Sequence, residues 1–383
     1  MKPPKISVLT PDVGSNSIAP STVMGSILSR HYEVEIIGPD LGTGVNEMYR
    51  SSFDYTTLSL PRLYRVPDFF LGARQLAKAI TGDVIFAVKA FADTLPIALW
   101  EKMRRGRKVI LYLDEWDGAV YYQKTRSERL RDWLTHLHHP MHECYAPWVE
   151  RMVRHADEVL STTTFLQKKF GGQVVHYGID CDRFKPQPPD QTAELKASLG
   201  LDEVKLIVFG GVARPHKGVD QILEALAALD RKDVKLLVVG PHTDYLEGLK
   251  ANPAFADLIR CTGAQPKEEM PTYLDLADGI VIPLASTLLS NSQMPCKIFE
   301  AMAMAKPIIG SRISDLPIVL EGCGWTYPAG DIGALADAIG EMVDNPEASA
   351  EKGRLARRKC LDRFSLEVTE KLLLDVMKRV TEG

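Results

Sequence analysis

The chain has 383 residues, 45% of them apolar and 25% charged, an ordinary globular composition long enough for two domains. Its 46 basic and 50 acidic residues leave a formal charge of −4, so nothing points to bulk nucleic-acid binding through phosphate neutralisation. The six cysteines, at positions 144, 181, 261, 296, 323 and 360, include no CxxC pair; neither a zinc site nor a disulfide framework is indicated, and reduced, packed thiols are expected. The opening MKPPKISVLT lacks the apolar core of a signal peptide, and no stretch approaches the roughly 18 apolar residues of a membrane span. A cytoplasmic location is expected.

Lys5-Ile6-Ser7-Val8-Leu9-Thr10 reads as a short buried strand, followed by a Gly, Ser and Pro loop to Ser21 and a helical stretch from Thr22 to Arg30. Val34–Gly38 is the next strand, and Gly42-Thr43-Gly44 after it reads as a turn. Val84–Val88 and Val109–Leu113 continue an alternation of strand and helix that marks a doubly wound parallel sheet. Ligands of such sheets sit outside the carboxyl ends of the strands. That places Asp114-Glu115-Trp116-Asp117 at a ligand-facing edge. Its acids are suited to orienting an acceptor hydroxyl or taking its proton, to holding a divalent cation, or simply to capping the next helix.

The stretch 126–155 holds His136, His138, His139, His142 and His155 without an HExxH pattern, and a solvated face is expected rather than a metal site. Arg104, Arg105, Arg107 and Lys108, with Trp133 and Trp148, offer either peripheral contact with an anionic bilayer or an ordinary charged helix end and linker. Gly178-Ile179-Asp180 reads as a turn after a strand at Val174–Tyr177, which discounts Asp180 and Asp182 as a metal pair. The Pro-rich run Phe184–Asp190 is the clearest break in composition. Domain boundaries are drawn there: 1–186, 187–365, and a last helix at 366–383 that crosses back to the first domain.

The strand Lys205–Phe209 runs into Gly210-Gly211-Val212-Ala213-Arg214-Pro215-His216-Lys217-Gly218 and then a helix from Val219. Glycines there let a backbone approach a ligand closely, while Arg214 and Lys217 add a planar fork and a point charge for a diphosphate. The loop is not of the GxxxxGK[ST] type. Leu236–Gly240, Ile259–Gly263 and Gly279–Pro283 follow as strands, with a helix at Glu268–Asp275, giving a second doubly wound sheet of five strands. Asp331–Val343 and Leu366–Val380 read as closing amphipathic helices.

Ser290–Ser311, SNSQMPCKIFEAMAMAKPIIGS, combines a loop, a helix start, a carboxylate and a buried strand. Pro295 suits a first helical turn, Ile298, Phe299, Met302 and Ala303 form an apolar face, and Pro307 ends the helix. The helix N-terminus aims backbone N–H groups at what precedes it, which suits a phosphate. Glu300, one turn further in, can accept two hydrogen bonds from a ribose diol, or else pair with Lys297 on the surface.

Together these residues resemble the retaining, nucleotide-sugar-dependent GT-B glycosyltransferases of family four, the glycosyl transferases group 1. The resemblance covers nearly the whole chain and is strongest from Ala156 to Ala338. Its carriers are Ala156-Asp157-Glu158-Val159, His176-Tyr177-Gly178-Ile179-Asp180 with Phe184, Arg214-Pro215-His216-Lys217-Gly218, Val239-Gly240, Ala277-Asp278 with Pro283, Phe299-Glu300-Ala301-Met302-Ala303, and Tyr327-Pro328-Ala329-Gly330-Asp331. The resemblance implies an α/β GT-B fold, two doubly wound Rossmann-like domains facing across a cleft, with the donor in the second and the acceptor in the first.

By the same resemblance, Arg214 and Lys217 bind the donor diphosphate and assist its departure, and Glu300 binds the ribose. Gly211, Ser292, Met294, Pro295, Cys296 and Lys297 complete the donor site, with Gly14 and Ser15 as counterparts of the family's first-domain Gly-Gly pair. Asp114 and Glu115 stand where the family often has a His. The first Glu of the family's E-x7-E motif is Ser292 here, and the family's Arg five before the Lys is Val212, with Arg214 as the substitute. The implied activity is transfer of a hexose-type sugar from a UDP- or GDP-sugar to a saccharide or lipid-linked acceptor. No metal or other cofactor is expected, and cell-surface polysaccharide or glycoconjugate synthesis is the implied setting. A non-catalytic nucleotide-sugar-binding subunit and a sugar-nucleotide epimerase on the same fold are the alternatives. A nicotinamide dehydrogenase is disfavoured, because no GxGxxG opens a first-domain helix.

Overall fold

In a computed structural model, the chain divides into two α/β units, each built on one parallel sheet. The structure describes residues 3–382; the first two residues of the N-terminal stretch and the side chains of Pro189, Asp190 and His216 lie outside the described residues. The first unit comprises the chain through Gly178, the short stretch Ser292–Met294, and the residues from Glu367 onward. The second comprises Ile179–Asn291 and Pro295–Leu366.

The division falls at Gly178–Ile179 rather than at Pro186, and hydrogen bonding gives the reason. Ile179 N–H donates to Phe364 O at 3.0 Å and Leu366 N–H donates to Ile179 O at 3.0 Å. The Arg357 guanidinium reaches the carbonyls of Phe184, at 3.0 Å, and Cys181, at 3.4 Å. The segment before the Pro-rich run is therefore fastened to the second unit.

In the first unit, β1 (Ile6–Leu9), β2 (Val34–Asp40), β3 (Tyr55–Ser59), β4 (Val84–Val88), β5 (Lys108–Leu113), β6 (Glu158–Ser161) and β7 (Gln173–Val174) lie in the order β3-β2-β1-β4-β5-β6-β7. The strand expected at Val174–Tyr177 is only two residues long. β4 is buried along its whole length, as parallel strands covered on both faces are, and its unbroken Val, Ile, Phe and Ala run reflects this. The order reverses between β1 and β4, which pair with Leu9 opposite Ala87. The helix Leu366–Glu382 packs Leu373, Val376, Met377 and Val380 inward. Its polar side is held by Glu370 to Arg30, at 2.6 Å, and to His31, at 2.5 Å, and by Arg379 to Glu158 at 3.0 Å.

The second sheet has six strands rather than five. β8 (Lys205–Gly210), β9 (Val234–Val239), β10 (Ile259–Gly263), β11 (Gly279–Ile282), β12 (Ile308–Ser311) and β13 (Trp325–Tyr327) lie in the order β10-β9-β8-β11-β12-β13. Here the order reverses between β8 and β11. The helices Val219–Leu229 and Ile332–Asp344 bury Ile222, Leu223 and Leu226, and Leu335, Ile339 and Met342, respectively. Each such side chain contributes about 1.5–3 kcal/mol relative to exposure. Four cysteines are buried as expected, but Cys296 is exposed. No helix of the described residues is long and apolar enough to cross a membrane.

Candidate functional site

The second unit concentrates positive charge where its strand order reverses. β8 leads into Gly211, whose φ of 111° lies where only glycine is unstrained. Gly211 N–H donates to Val239 O at 2.7 Å. A Cβ on Gly240 would lie 2.1 Å from Gly211 O, so a second glycine is needed for this close passage of two chains. Arg214 is exposed and caps a single turn, Pro215–Lys217, which ends at Gly218 with φ 68°. A Cβ on Gly218 would lie 2.3 Å from the carbonyl oxygen of Pro283, which follows β11. The glycines thus seat the basic loop on the edge formed by β8 and β11.

Lys297 comes to the same place from a different part of the chain. Its ammonium lies 4.8 Å from the centre of the Phe209 ring, and a Cβ on Gly211 would be only 2.8 Å from its Nζ. Burial, and then the nearby charge of Lys217, push the Lys297 amine down to about 8. An anion bound beside Lys297 would relieve the penalty that burial and the charge of Lys217 place on it. The helix that follows spans Lys297–Ala303, with Cys296 as its N-cap, so Pro295 lies before the first turn rather than in it.

Glu300 lies in the first turn of that helix. Burial raises its pKa, opposed by Lys297, Lys267 and Arg183. Lys297 acts on Glu300 through space, and among the described residues no salt bridge joins them. This leaves the surface-pair reading of Glu300 unsupported and its carboxyl available to a diol. Gly211, Arg214, Lys217, Pro295, Cys296, Lys297 and Glu300 therefore all belong to the second unit.

In the first unit the sequence-level acids are gathered by a residue that sequence reasoning missed. Lys89, directly after β4, is 2% exposed, and its ammonium lies 3.2 Å from Asp114, 2.6 Å from Glu115 and 2.9 Å from Asp117. Its φ of 65° is a left-handed conformation, which costs a non-glycine residue about 1–2 kcal/mol. Lys89 N–H donates to Tyr112 O at 2.8 Å, and Thr94 Oγ1 donates to Lys89 O at 2.7 Å, and these bonds hold it there. Burial alone would lower the Lys89 pKa, but the three carboxyls hold it well above the ordinary lysine value. Three acids exceed what one ammonium can balance. Burial, only partly offset by Lys89, raises Asp114 and pushes Asp117 up to about 7. The signal available in the sequence was a lysine closing an otherwise apolar strand.

Gly14 and Ser15 lie after β1 in a locally bonded loop: Gly14 N–H donates to Asp12 Oδ1 at 2.9 Å and Ser17 N–H to Ser15 Oγ at 3.2 Å. A Cβ on Gly14 would lie 2.0 Å from Thr43 Oγ1. The Gly42–Gly44 segment is a turn, as expected, with three N–H groups donating to Asp40 Oδ1 at 2.8 to 3.0 Å. Ser292 and Met294 belong to the first unit and are 0% and 5% exposed. The Ser292 hydroxyl accepts from Trp116 N–H at 2.9 Å, and Gln293 donates to Glu115. Ser292 and Met294 are thus packed within the first unit, whereas the other residues grouped with them for donor binding, Gly14 and Ser15 excepted, belong to the second. Asp93 is fully buried, with neither carboxyl oxygen hydrogen-bonded to another residue.

In the histidine-rich stretch His138 and His155 are exposed and His136, His139 and His142 half-buried, in keeping with the solvated face expected. Asp132, His136 and His142 bring one ligand atom each within 4.8 Å of the others. The His136 and His142 rings stack in parallel, with centres 3.9 Å apart, and Lys124 lies 2.6 Å from Asp132. Parallel rings do not aim their lone pairs at a common point, and the lysine already occupies the carboxylate. Asp180 Oδ1 accepts from the N–H groups of Asp182, at 3.1 Å, and Arg183, at 2.9 Å, the turn foreseen for that segment.

The Lys89 cluster makes a testable demand on stability. Lys89→Met removes the cation and keeps the stem, and it lowers stability at neutral pH by about 3–5 kcal/mol in urea denaturation. Most of that loss returns on acidification, as the three carboxyls protonate. A loss independent of pH would mean that the acids do not depend on the ammonium.

Residues 203–345 match the family described as Glycosyl transferases group 1. The chain is 29% identical over 195 residues, 49% of its length, to the GDP-mannose-dependent alpha-(1-6)-phosphatidylinositol monomannoside mannosyltransferase of Mycolicibacterium smegmatis. It spans about half the length of that relative, 51%. To the alpha-maltose-1-phosphate synthase of Mycobacterium tuberculosis it is 25% identical over 397 aligned positions, covering 93% of this chain and 99% of that one. Its fold is shared with HepE of Anabaena, solved in complex with UDP-glucose, at a TM-score of 0.75 and 16% identity over 98% of this chain and 100% of that one. The chain thus has the GT-B fold, and its residues 203–345 match the glycosyl transferases group 1 family.

Proposed function

We propose that the chain is a retaining glycosyltransferase that moves a hexose from a nucleoside diphosphate to a hydroxyl of a saccharide or lipid-linked acceptor. The observation that carries this reading is the pair Lys217 and Lys297, beside the Gly211 backbone at the reversal point of the second sheet. Such a site suits a diphosphate, and Glu300 suits the ribose diol attached to it. The relatives named as glycosyltransferases support the same reading.

In the reaction, the bond from the anomeric carbon to the diphosphate oxygen breaks and a bond to the acceptor oxygen forms on the same face of the sugar. The acceptor hydroxyl gives up its proton, and the nucleoside diphosphate leaves. Arg214, Lys217 and Lys297 stabilise the charge that grows on the departing diphosphate, the largest single electrostatic task in such a transfer. Glu115 and Asp117, with Asp114 behind them, orient the acceptor hydroxyl. A carboxyl poised near neutrality, as Asp117 is, is suited to receiving its proton. We propose that no metal takes part, because protein cations already supply the charge on both the diphosphate side and the acid cluster. A non-catalytic subunit is the second reading, favoured by Ser292, a buried hydroxyl where the family places a carboxylate.

A thermal-shift and calorimetry panel of UDP, GDP and ADP, each with and without sugar, in the presence of a chelator, tests the proposal. One nucleotide stabilises the wild type, and Lys217→Ala and Glu300→Ala each bind it at least about tenfold more weakly, a loss of about 1.4 kcal/mol. Binding that is absent, requires a divalent cation, or is unchanged in both variants contradicts the proposal. Turnover with an acceptor separates the transferase from the silent subunit.

We also propose that the first unit meets an anionic bilayer from the cytoplasmic side. Trp100, Trp133 and Trp148 are exposed, and the guanidinium groups of Arg104 and Arg151 lie 5.7 Å over the rings of Trp100 and Trp148. Paired aromatic and basic side chains suit the headgroup layer. The chain sediments with anionic but not with zwitterionic vesicles, and Trp100→Ala with Trp148→Ala abolishes this; equal sedimentation with both vesicle types would sink the idea.

A further inference from the structure

The first unit contains a cavity of about 210 Å³ beside the carboxyl end of β5. Its aromatic wall includes Phe91, Trp116 and Tyr145. Glu115, Asp117, Glu143 and Glu150 also line it. A space with this mixture of flat apolar faces and hydrogen-bond acceptors fits a polyhydroxylated ring.

The charge balance around the cavity narrows the ring's chemistry. Asp114, Glu115 and Asp117 share Lys89. Asp132 and Glu143 share Lys124, and Glu150 has Lys169 at 3.4 Å. Six carboxyls thus answer to three ammonium groups. The Arg129 guanidinium, which donates to the carbonyls of Lys124 and Tyr122, both at 2.9 Å, adds one further positive charge and still leaves two carboxyls in excess. His142, also on the wall, is pushed by burial toward its neutral form.

Half-buried carboxyls in excess of cations are costly unless they protonate or gain a positive partner. The aromatic wall is suited to such a partner. Lys169 already holds its ammonium 4.1 Å over the centre of the Trp116 ring, the arrangement by which an aromatic face attracts a cation. A phosphate or carboxylate entering the same space would meet acids on several sides.

We infer that this cavity binds the protonated amine of an amino-substituted saccharide ring, and that this ring is the acceptor. The second clause rests on the transferase reading; the first does not. The ammonium sits among Glu115, Asp117 and Glu150 and supplies the missing positive charge, while the ring stacks on the aromatic wall. The amine is a recognition element and does not react, and a ring hydroxyl remains the nucleophile.

The test is calorimetry on the full chain without nucleotide, using glucosamine and further amino sugars that differ in amine position, with glucose, N-acetylglucosamine and glucose 6-phosphate as comparators. An amino sugar binds at least about tenfold more tightly than its neutral and N-acetylated counterparts, the phosphate is not bound, and added salt weakens the preference. Asp117→Asn and Glu150→Gln each reduce the preference. The N-acetyl comparison reports on the charge without depending on how either variant folds. Equal affinity for charged and neutral rings, tightest binding of the phosphate, or no binding of any ring overturns the inference. UDP and GDP binding measured on the same samples keeps the two claims apart: nucleotide without amine binding removes only this inference, and amine without nucleotide binding removes the transferase reading.

Discussion

The repulsion between Lys217 and Lys297 organises the account of the second unit. Neither lysine is placed by a neighbour in sequence. One is carried by the loop after β8 and the other opens the helix before β12, and the glycines at 211, 218 and 240 let both approach the same backbone. A folded protein gains nothing from placing two ammonium groups where burial and mutual charge depress one of them to about 8. On the proposed reading a ligand supplies the compensating charge, and a diphosphate is the chemistry that fits two lysines, an arginine and close backbone.

The first unit has the opposite surplus. Its sheet also reverses order next to β4, and there the chain places acids in excess of lysines around Lys89. Asp117 near neutrality and the raised Asp114 are direct consequences of that excess. A diphosphate would be repelled by this cluster, whereas hydroxyls and cations would not. In the proposed reaction the two sheets divide the chemistry by sign: anionic leaving group on one, neutral or cationic ring on the other. The Ser292 hydroxyl accepts from the backbone N–H of Trp116 and thereby helps hold a wall of the cavity.

Much of this was legible in the sequence, and what was not has physical reasons. β4 is read with its observed limits, Val84–Val88, because a run of β-branched and apolar residues between turn signals has few other solutions. β3 was missed because Tyr55–Ser59 is an edge strand with polar, mostly exposed positions, and β13 because three residues carry too little pattern. The long helix Pro346–Arg363 was missed for a different reason. Its buried seam consists of Ser349, Gly353, Ala356 and Cys360, and a Cβ on Gly353 would lie 2.1 Å from the Ala305 carbonyl oxygen. A seam of small residues gives close packing without the large apolar period that sequence reading detects. Within the candidate site, Arg214, Lys217, Lys297 and Glu300 were singled out from motif and helix-start logic, whereas Lys89 was not, since its meaning depends on three acids more than twenty residues away.

The central claim is that the lysine pair is an anion site awaiting a nucleoside diphosphate. The direct measurement is an NMR titration of the Lys297 side-chain amine, assigned with a Lys297→Arg control, with and without the nucleoside diphosphate that stabilises the chain. The account predicts a midpoint near 8 in the free protein, a clear rise on binding, and affinity that weakens as pH climbs through that midpoint. A midpoint at the ordinary lysine value in the free protein, or one that does not move when the nucleotide binds, would contradict it.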